Sequence, residues 1–447
     1  MDDFFKSRAL EYHSAVKAGK TSTIPAKPLE TPQELALAYT PGVAAPAMAI
    51  SQERWKAYRY TNKGNLVAVI SNGSSLLGLG NRGALASKPV MEGKAMLFKT
   101  YADIDAFDIE ISDEEPEKIV ATVQALAPTF GGINLEDIKA PECFYIEKRL
   151  RELLDIPVLH DDQHGTAVTV AAALLNACKV TGKSIGNIKI VICGAGAAAI
   201  SSANMLLEIG VSREQITMLD SKGVISTRRT GLDENKARFA TTSEVETLSQ
   251  AIEGADVFIG LSRGDLLKES DIKSMSKSPI IFALANPVPE ISYKQAKQWC
   301  PEAIVATGRS DSPNQINNVL SFPYLFRGAL DTLSTTINEA MKIAAAKAIA
   351  AIAQKNATKE IEEQYGQEFI FGQEYILPKP GDKRLLTEVS AAVARAAMES
   401  GVARRGIASF NEYSHSLLRR IENENFFARE HLRHRIGRHG SEREREL

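Results

Sequence analysis

The chain has 447 residues, a formal charge of −2 and 24% charged residues. A length of this order gives two or three domains with sizeable cores, and the near-neutral balance argues against a nucleic-acid or polyanion binder. Four scattered cysteines (Cys143, Cys178, Cys193, Cys300), with no C-x-x-C, suit a reducing cytoplasm better than a disulfide framework.

The first twenty residues start acidic and lack an apolar signal core. Residues 343–353 are apolar but too short to span a membrane. Together these features predict a cytoplasmic protein with no membrane partner. Residues 2–18 read as an amphipathic helix ended by Gly19, and residues 20–30 as a connector. In LALAYTPGVA, Tyr39 stands just before the Thr40-Pro41-Gly42 break; taken alone, such a tyrosine is a wedge that closes a loop. Residues 65–71 (NLVAVIS) read as a buried strand. Gly73, Gly78, Gly80 and Gly83 then predict a tight loop with positive φ. Lys94, in MEGKAMLFK, falls on a partly buried helix face, where a lysine ordinarily runs its stem out to solvent. Residues 103–110 alternate as a half-exposed strand does, and 114–127 predict a helix.

Residues 131–167 organise the rest. GGINL runs into Glu136 and Asp137, and IPVLH runs into Asp161 and Asp162. Between them Pro141 marks a helix start, and Ile146, Leu150, Leu153 and Leu154 make one apolar face. A strand–helix–strand unit brings both strand ends to one edge of a parallel sheet. Four acids collected there repel one another. Oxygen-only ligands favour a hard divalent ion, Mg²⁺ or Mn²⁺; a solvated loop of surface acids is the plainer alternative.

A helix over 165–179 leads to a second unit. Residues 188–193 (IKIVIC) read as a strand buried on both faces. They enter Gly194-Ala-Gly196-Ala-Ala-Ala199, a G-x-G-x-x-A turn, then a helix ending near Gly210, and a strand ending at Asp220. This order is that of a dinucleotide site, with the pyrophosphate at a helix N-terminus. Asp220 suits a ribose 2′-hydroxyl and hence NAD. Ser221, Lys222, Arg228 and Arg229 suit a 2′-phosphate and hence NADP. Residues 255–261 and 279–285 predict further parallel strands. Helices follow over 335–355 and 386–400, separated by a polar connection, and the last twenty residues are densely charged.

INLEDI, HDDQHGTA, LALAYTPGVA, MEGKAMLFK, ALANP and PNQINNVLSFP resemble motifs of the malic enzymes. The likeness runs from about residue 30 to 425 and is nearest the malic part of the NADP-dependent bacterial type, without the phosphotransacetylase-like extension that some relatives carry. It implies an α/β protein with a malic-type N-terminal domain (1–162). A Rossmann-type doubly wound domain with C-terminal helices (163–427) and a charged tail (428–447) follow. By resemblance, Glu136, Asp137 and Asp162 are metal ligands for Mg²⁺ or Mn²⁺, and Asp161 is a site acid. Lys94 is the base, which needs a lowered pKa, and Tyr39 is the general acid. Lys99 is a structural or substrate-side contact. Gly194, Gly196, Ala199, Asp220, Ser221, Lys222 and Asn286 hold the cofactor, NADP in preference to NAD. Asn286, Asn317 and Asn318 touch substrate. The arginine that holds a substrate carboxylate in many relatives is replaced here by Ser75, which leaves that contact unassigned, with Arg82 as an unsupported candidate. The implied reaction is oxidative decarboxylation of L-malate to pyruvate in a homodimer or higher homo-oligomer. The alternatives are an oxaloacetate decarboxylase or malolactic reaction, and a non-catalytic dinucleotide-binding regulator.

Overall fold

The structure is a computed structural model that describes residues 3–14 and 18–422. The ends of the first predicted helix (residue 2 and 15–17) and the tail 428–447 lie outside the described residues. Two parallel sheets organise the chain. The first has four strands in the order β2-β1-β3-β4, with β1 Leu66–Ser71, β2 Asp105–Glu110, β3 Gly132–Leu135 and β4 Val158–His160. The second has seven, in the order β11-β10-β9-β8-β5-β6-β7. These are β5 Ile190–Cys193, β6 Ile216–Asp220, β7 Gly223–Val224, β8 Val257–Gly260, β9 Ile280–Ala283, β10 Ile304–Thr307 and β11 Asn314–Gln315. Among these strand pairs, β6–β7 is the antiparallel one.

Strand sequences explain this burial. In β1, Val67 and Val69 point into one core with Met91 and Phe98. Leu66, Ala68 and Ile70 point into another with Ile119, Val123 and Ile146. A strand covered on both faces must be apolar throughout, and LVAVIS is fully buried. In β5, Ile190 and Ile192 belong to the first of these cores, and Val191 and Cys193 to a third. The first core is therefore shared by both sheets, so they are not independently packed units.

The helix Asp161–Thr181 is the bridge. It starts directly at the second acid pair, four residues earlier than predicted, and is buried along most of its length. The domain boundary drawn between 162 and 163 falls inside its first turn. The helix Phe322–Asp331, grouped by sequence with the second unit, packs on the first: Phe98 meets Phe322 and Phe326 edge-on, and buried Arg327 donates to Asn65 Oδ1 at 2.6 Å. Three expectations fail locally. The helix Asp3–Ser14 buries none of its residues within the described structure. Leu153 is exposed, because the helix Glu142–Leu153 ends there. The connection before residue 386 contains a helix, Lys359–Tyr365, capped by the Thr358 hydroxyl. Among the described residues, no helix is long and apolar enough to cross a membrane.

Candidate active site

β3 and β4 are parallel neighbours, with Leu135 opposite His160. Their ends therefore deliver Glu136, Asp137, Asp161 and Asp162 to one edge, as the sequence predicts. Lys94 reaches them from the helix Ala84–Ala102, which packs on β1 and β2. Its Nζ lies 2.6 Å from Asp161 Oδ2 and 3.0 Å from Glu136 Oε1, and 4.2 Å from the centre of the Phe322 ring. Asn134 donates to Glu136 Oε2 at 2.9 Å, and the Asp137 N–H donates to Asp162 Oδ2 at 2.8 Å. Asp137 sits at φ 52°, a conformation uncommon outside glycine. Gly165 makes room for this arrangement: a Cβ there would stand 1.9 Å from Asp161 Oδ1 and 2.9 Å from the Asn318 Cβ.

The electrostatics show what the cluster lacks. Burial drives the Glu136 carboxyl well above its ordinary range against the pull of Lys94, with the neighbouring acids adding to the rise. Burial, followed by Asp162, pushes Asp137 up to about 8. Asp137 Oδ2 and Asp161 Oδ1 are buried with no hydrogen-bond partner. Unpaired buried carboxylate oxygens in a repelling group suit a hard divalent cation. Among the described residues, no three His, Cys, Asp or Glu groups converge on one point; the Lys94 ammonium contacts two of the four acids. For Lys94 the expectation of a lowered pKa is reversed. Burial lowers it, but Asp161 and Glu136 outweigh burial and hold the ammonium above its usual value.

The other predicted residues divide. Tyr39 stands apart: it is 67% exposed and makes no hydrogen bond to Lys94 or the four acids. The helices around it, Pro32–Ala38 and Ala44–Gln52, bury no residue. Ser75 is exposed and donates its N–H to the Asp137 carbonyl at 3.0 Å; Arg82 is also exposed. Lys99 bonds to Asp103 and Asp105 at 2.7 and 3.1 Å, a structural contact. Asn317 caps a short turn by accepting from the Val319 N–H at 2.9 Å. Asn286 is exposed after β9, and its carbonyl would lie 2.5 Å from a Cβ on Gly78, so the glycine-rich loop reaches across to it.

A cavity of about 700 Å³ begins at the glycine turn, where Gly194 and Gly196 line it with Asp220, Ser221 and Lys236. Its far wall is Ala140, Pro141 and Phe144, the stretch just after Glu136 and Asp137. Ala199 is fully buried and packs the helix against the sheet rather than lining the cavity. Lys222 is exposed and contributes its N–H to Asp220. Asp220 does not offer free oxygens: Arg229 grips it with both guanidinium nitrogens at 2.9 and 2.7 Å. Burial opposes its charge, but Arg229, the Lys222 N–H and Lys236 hold it below the usual carboxylate range.

Sequence reasoning missed several of these partners. Lys236 lies beyond a loop from Asp220, and its only local signal is the Asp233 cap of its short helix. Glu147 is buried and accepts from the His160 N–H at 3.0 Å and from His164 Nε2 at 2.9 Å. Lys342 donates to His164 Nδ1 at 3.0 Å, which leaves the proton on Nε2. This chain of contacts braces the turn carrying Asp161 and Asp162. It borders a second cavity of about 580 Å³ that contains neither the glycine turn nor the acids.

Two parallel sheets, a buried acid–lysine cluster on one and a dinucleotide-type turn on the other, define a class of two-sheet α/β proteins built around one shared cleft. Residues 18–151 match the malic enzyme N-terminal domain and residues 163–365 the malic enzyme NAD-binding domain. The chain belongs to the malic enzyme family. It is 53% identical over 430 residues to the NADP-dependent malic enzyme of Escherichia coli (strain K12), covering 96% of this chain and 57% of that protein. The chain thus spans a little over half the length of the first curated relatives it matches. It is 52% identical over 406 residues to the NADP-dependent malic enzyme of Halomonas elongata, covering 91% of this chain and 96% of that one. The crystal structure of malic enzyme from Pyrococcus horikoshii superposes with a TM-score of 0.86 at 45% identity, covering 95% of this chain and 98% of that one.

Proposed function

We propose that this chain oxidatively decarboxylates L-malate to pyruvate and CO₂ with reduction of NADP⁺, using Mg²⁺ or Mn²⁺. The observation that carries the reading is the single cavity running from the glycine turn to the stretch after Glu136 and Asp137. Glu136, Asp137 and Asp162 hold the ion, and Gly194, Gly196 and the Asp220 rim hold the dinucleotide. When bound, the nicotinamide would supply the hydride acceptor and the ion the Lewis-acid stabilisation of the negative charge left as CO₂ departs. Lys94 takes the proton of the C2 hydroxyl. With Glu136 engaged elsewhere, Lys94 keeps only Asp161 of its two partners, which favours the neutral amine. Asp161 fixes the amine and takes part in moving its proton. Asn286 and Asn318 orient the substrate. Tyr39 protonates C3 of the enol product.

Tyr39 acts from a second copy of the chain. Leu35, Leu37, Val43, Met48 and Trp55 are exposed around it, and an apolar surface of this kind marks an interface. NADP is preferred because Arg229 engages the Asp220 oxygens and Lys236 lies 3.9 Å from one of them, leaving a cationic rim for a 2′-phosphate. Four free, buried cysteines accord with a cytoplasmic setting.

The test follows absorbance at 340 nm with L-malate and Mn²⁺, with NAD⁺ and NADP⁺ in parallel, and assays pyruvate in the same tubes. Cofactor reduction matched by pyruvate, faster with NADP⁺, is the expected result. Reduction without pyruvate would remove the decarboxylation step. No reduction with either cofactor would favour an oxaloacetate decarboxylase, a malolactic reaction or a silent binder.

A further inference from the structure

Glu290 is the buried acid that the mechanism leaves unused. It is fully buried, follows β9 by seven residues, and carries a carboxylate that forms no ion pair with a lysine or arginine among the described residues. Its Oε1 accepts the Ser262 N–H at 3.0 Å, and its Oε2 accepts the Ala285 N–H at 3.0 Å. Its own carbonyl accepts the N–H groups of Leu266 and Leu267 at 2.9 and 3.1 Å. The side chain lies flat over β8, where a Cβ on Gly260 would stand 2.3 Å from Glu290 Cδ. Glycine is therefore the residue that lets this carboxylate in.

The two loops it joins have different duties. Residues 261–263 follow β8 and line the dinucleotide cavity. They also press on the glycine turn: a Cβ on Gly194 would lie 2.4 Å from the Leu261 carbonyl oxygen. Residues 285–286 follow β9 and present Asn286. β8 and β9 are hydrogen-bonded neighbours up to the Gly260–Ala283 pair, and beyond it the sheet no longer sets the spacing of the chains. A carboxylate can accept at both oxygens, so one side chain satisfies a donor on each loop and fixes their separation. A glutamine of the same shape would present an NH₂ group to one of those N–H donors.

We propose that Glu290 is a positioning residue for the cofactor, locking the wall of the dinucleotide cavity at residues 261–263 to the loop that carries Asn286. The proposal rests on the dinucleotide reading of that cavity and adds to it a residue that touches neither cofactor nor substrate.

The experiment titrates the full chain with NADPH and with Mn²⁺ separately, by calorimetry. Glu290→Gln should weaken NADPH binding about tenfold, the scale of one lost hydrogen bond to a charged group, and leave Mn²⁺ affinity unchanged. Gly260→Ala, whose methyl would land on Glu290, should give the same selective loss, and the double variant should be no weaker than either single one. Unchanged NADPH affinity in Glu290→Gln overturns the proposal. A parallel loss of NADPH and Mn²⁺ binding also overturns it, since that marks a general loosening. If the variants do not fold, amide exchange in the unaltered chain decides: the Ser262 and Ala285 N–H groups should exchange slowly without cofactor, and fast exchange at either overturns the proposal. Failure of NADPH to bind the unaltered chain would instead overturn the dinucleotide reading itself.

Discussion

At the ends of β3 and β4, four carboxylates crowd one lysine, and buried oxygens of Asp137 and Asp161 have no partner. On the second sheet, half-buried Asp220 at the end of β6 and buried Glu290 over β8 have both oxygens met by donors. The first edge crowds more negative charge than Lys94 offsets, which an added cation, or protons on Glu136 and Asp137, can balance. The second is balanced by the chain itself and offers shape, a helix N-terminus and a cationic rim. The same kind of parallel edge thus serves two purposes, and charge balance rather than topology separates them.

The comparison breaks most sharply if the acid edge is not where the chemistry occurs. Lys94→Met should lower malate oxidation by about 10²- to 10⁴-fold, the range of a lost general base, while NADPH binding, measured by fluorescence, stays intact. Tyr39→Phe should keep reduction of oxaloacetate and lose pyruvate formation. Because Tyr39 is exposed on its own chain, mixing the two inactive variants should restore part of the activity in heterodimers. Mixtures as inactive as either parent would remove the second copy from the site.

Lys236→Gln sharpens the other half. Removing a cation beside Asp220 should cut affinity for NADP⁺ about ten- to a hundredfold, the worth of a hydrogen bond to a charged group, and leave NAD⁺ affinity nearly unchanged. Equal loss for both cofactors in parallel KM measurements would mean that Lys236 shapes the cavity instead of reading the 2′ position.

How much of this was legible depended on distance along the chain. Both strand-to-acid junctions and the glycine turn are contiguous runs in which periodicity and chemistry coincide, so the parallel edge, the acids and the turn were all readable. What escaped was set by partners far away. The motif around Lys94 suits a base with a lowered pKa, but the first groups to reach its ammonium are Asp161 and Glu136, which raise it. In sequence Asp220 suits a ribose hydroxyl and Arg229 a 2′-phosphate; the fold instead pairs the two with each other. The helix Phe322–Asp331 follows the second sheet in sequence but packs on the first, because Phe98 and Asn65 wait there for Phe326 and Arg327. Nothing local to PVPEI announces that Glu290 is buried over Gly260.

A smaller effect tests whether the acid edge stores strain. Asp137 combines a left-handed backbone with a carboxyl pushed up by burial and Asp162. Asn tolerates that backbone better than most residues and carries no charge. Asp137→Asn should therefore stabilise the metal-free chain by about 1–2 kcal/mol, seen as a higher thermal midpoint. The same substitution should abolish the rise in midpoint that Mn²⁺ gives the unaltered chain. A destabilised variant would place the tension elsewhere.

Buried charges also lie away from both edges, and Lys379 is one that tests the comparison. Lys379 is 7% exposed, its Nζ donates to the Pro313 carbonyl, and the ammonium stands 4.7 Å from the centre of the Phe369 ring. Burial lowers its pKa to about 8. In the unfolded chain it returns to about 10.4. Between those values the unfolded state binds the extra proton, so stability from this group rises with pH across the window and is flat on either side. Below pH 8 the buried ammonium destabilises the fold by about 3 kcal/mol on this shift. Lys379→Met removes the titration but leaves the Pro313 carbonyl without its donor, an opposing loss of about 1–2 kcal/mol. The sum at pH 7 is small; the pH dependence is not. Urea titrations should show the variant losing ground to the unaltered chain steadily as pH rises from 8 to about 10.4. A difference independent of pH would mean that Lys379 keeps its ordinary affinity for protons, and that burial away from the two edges leaves charge undisturbed.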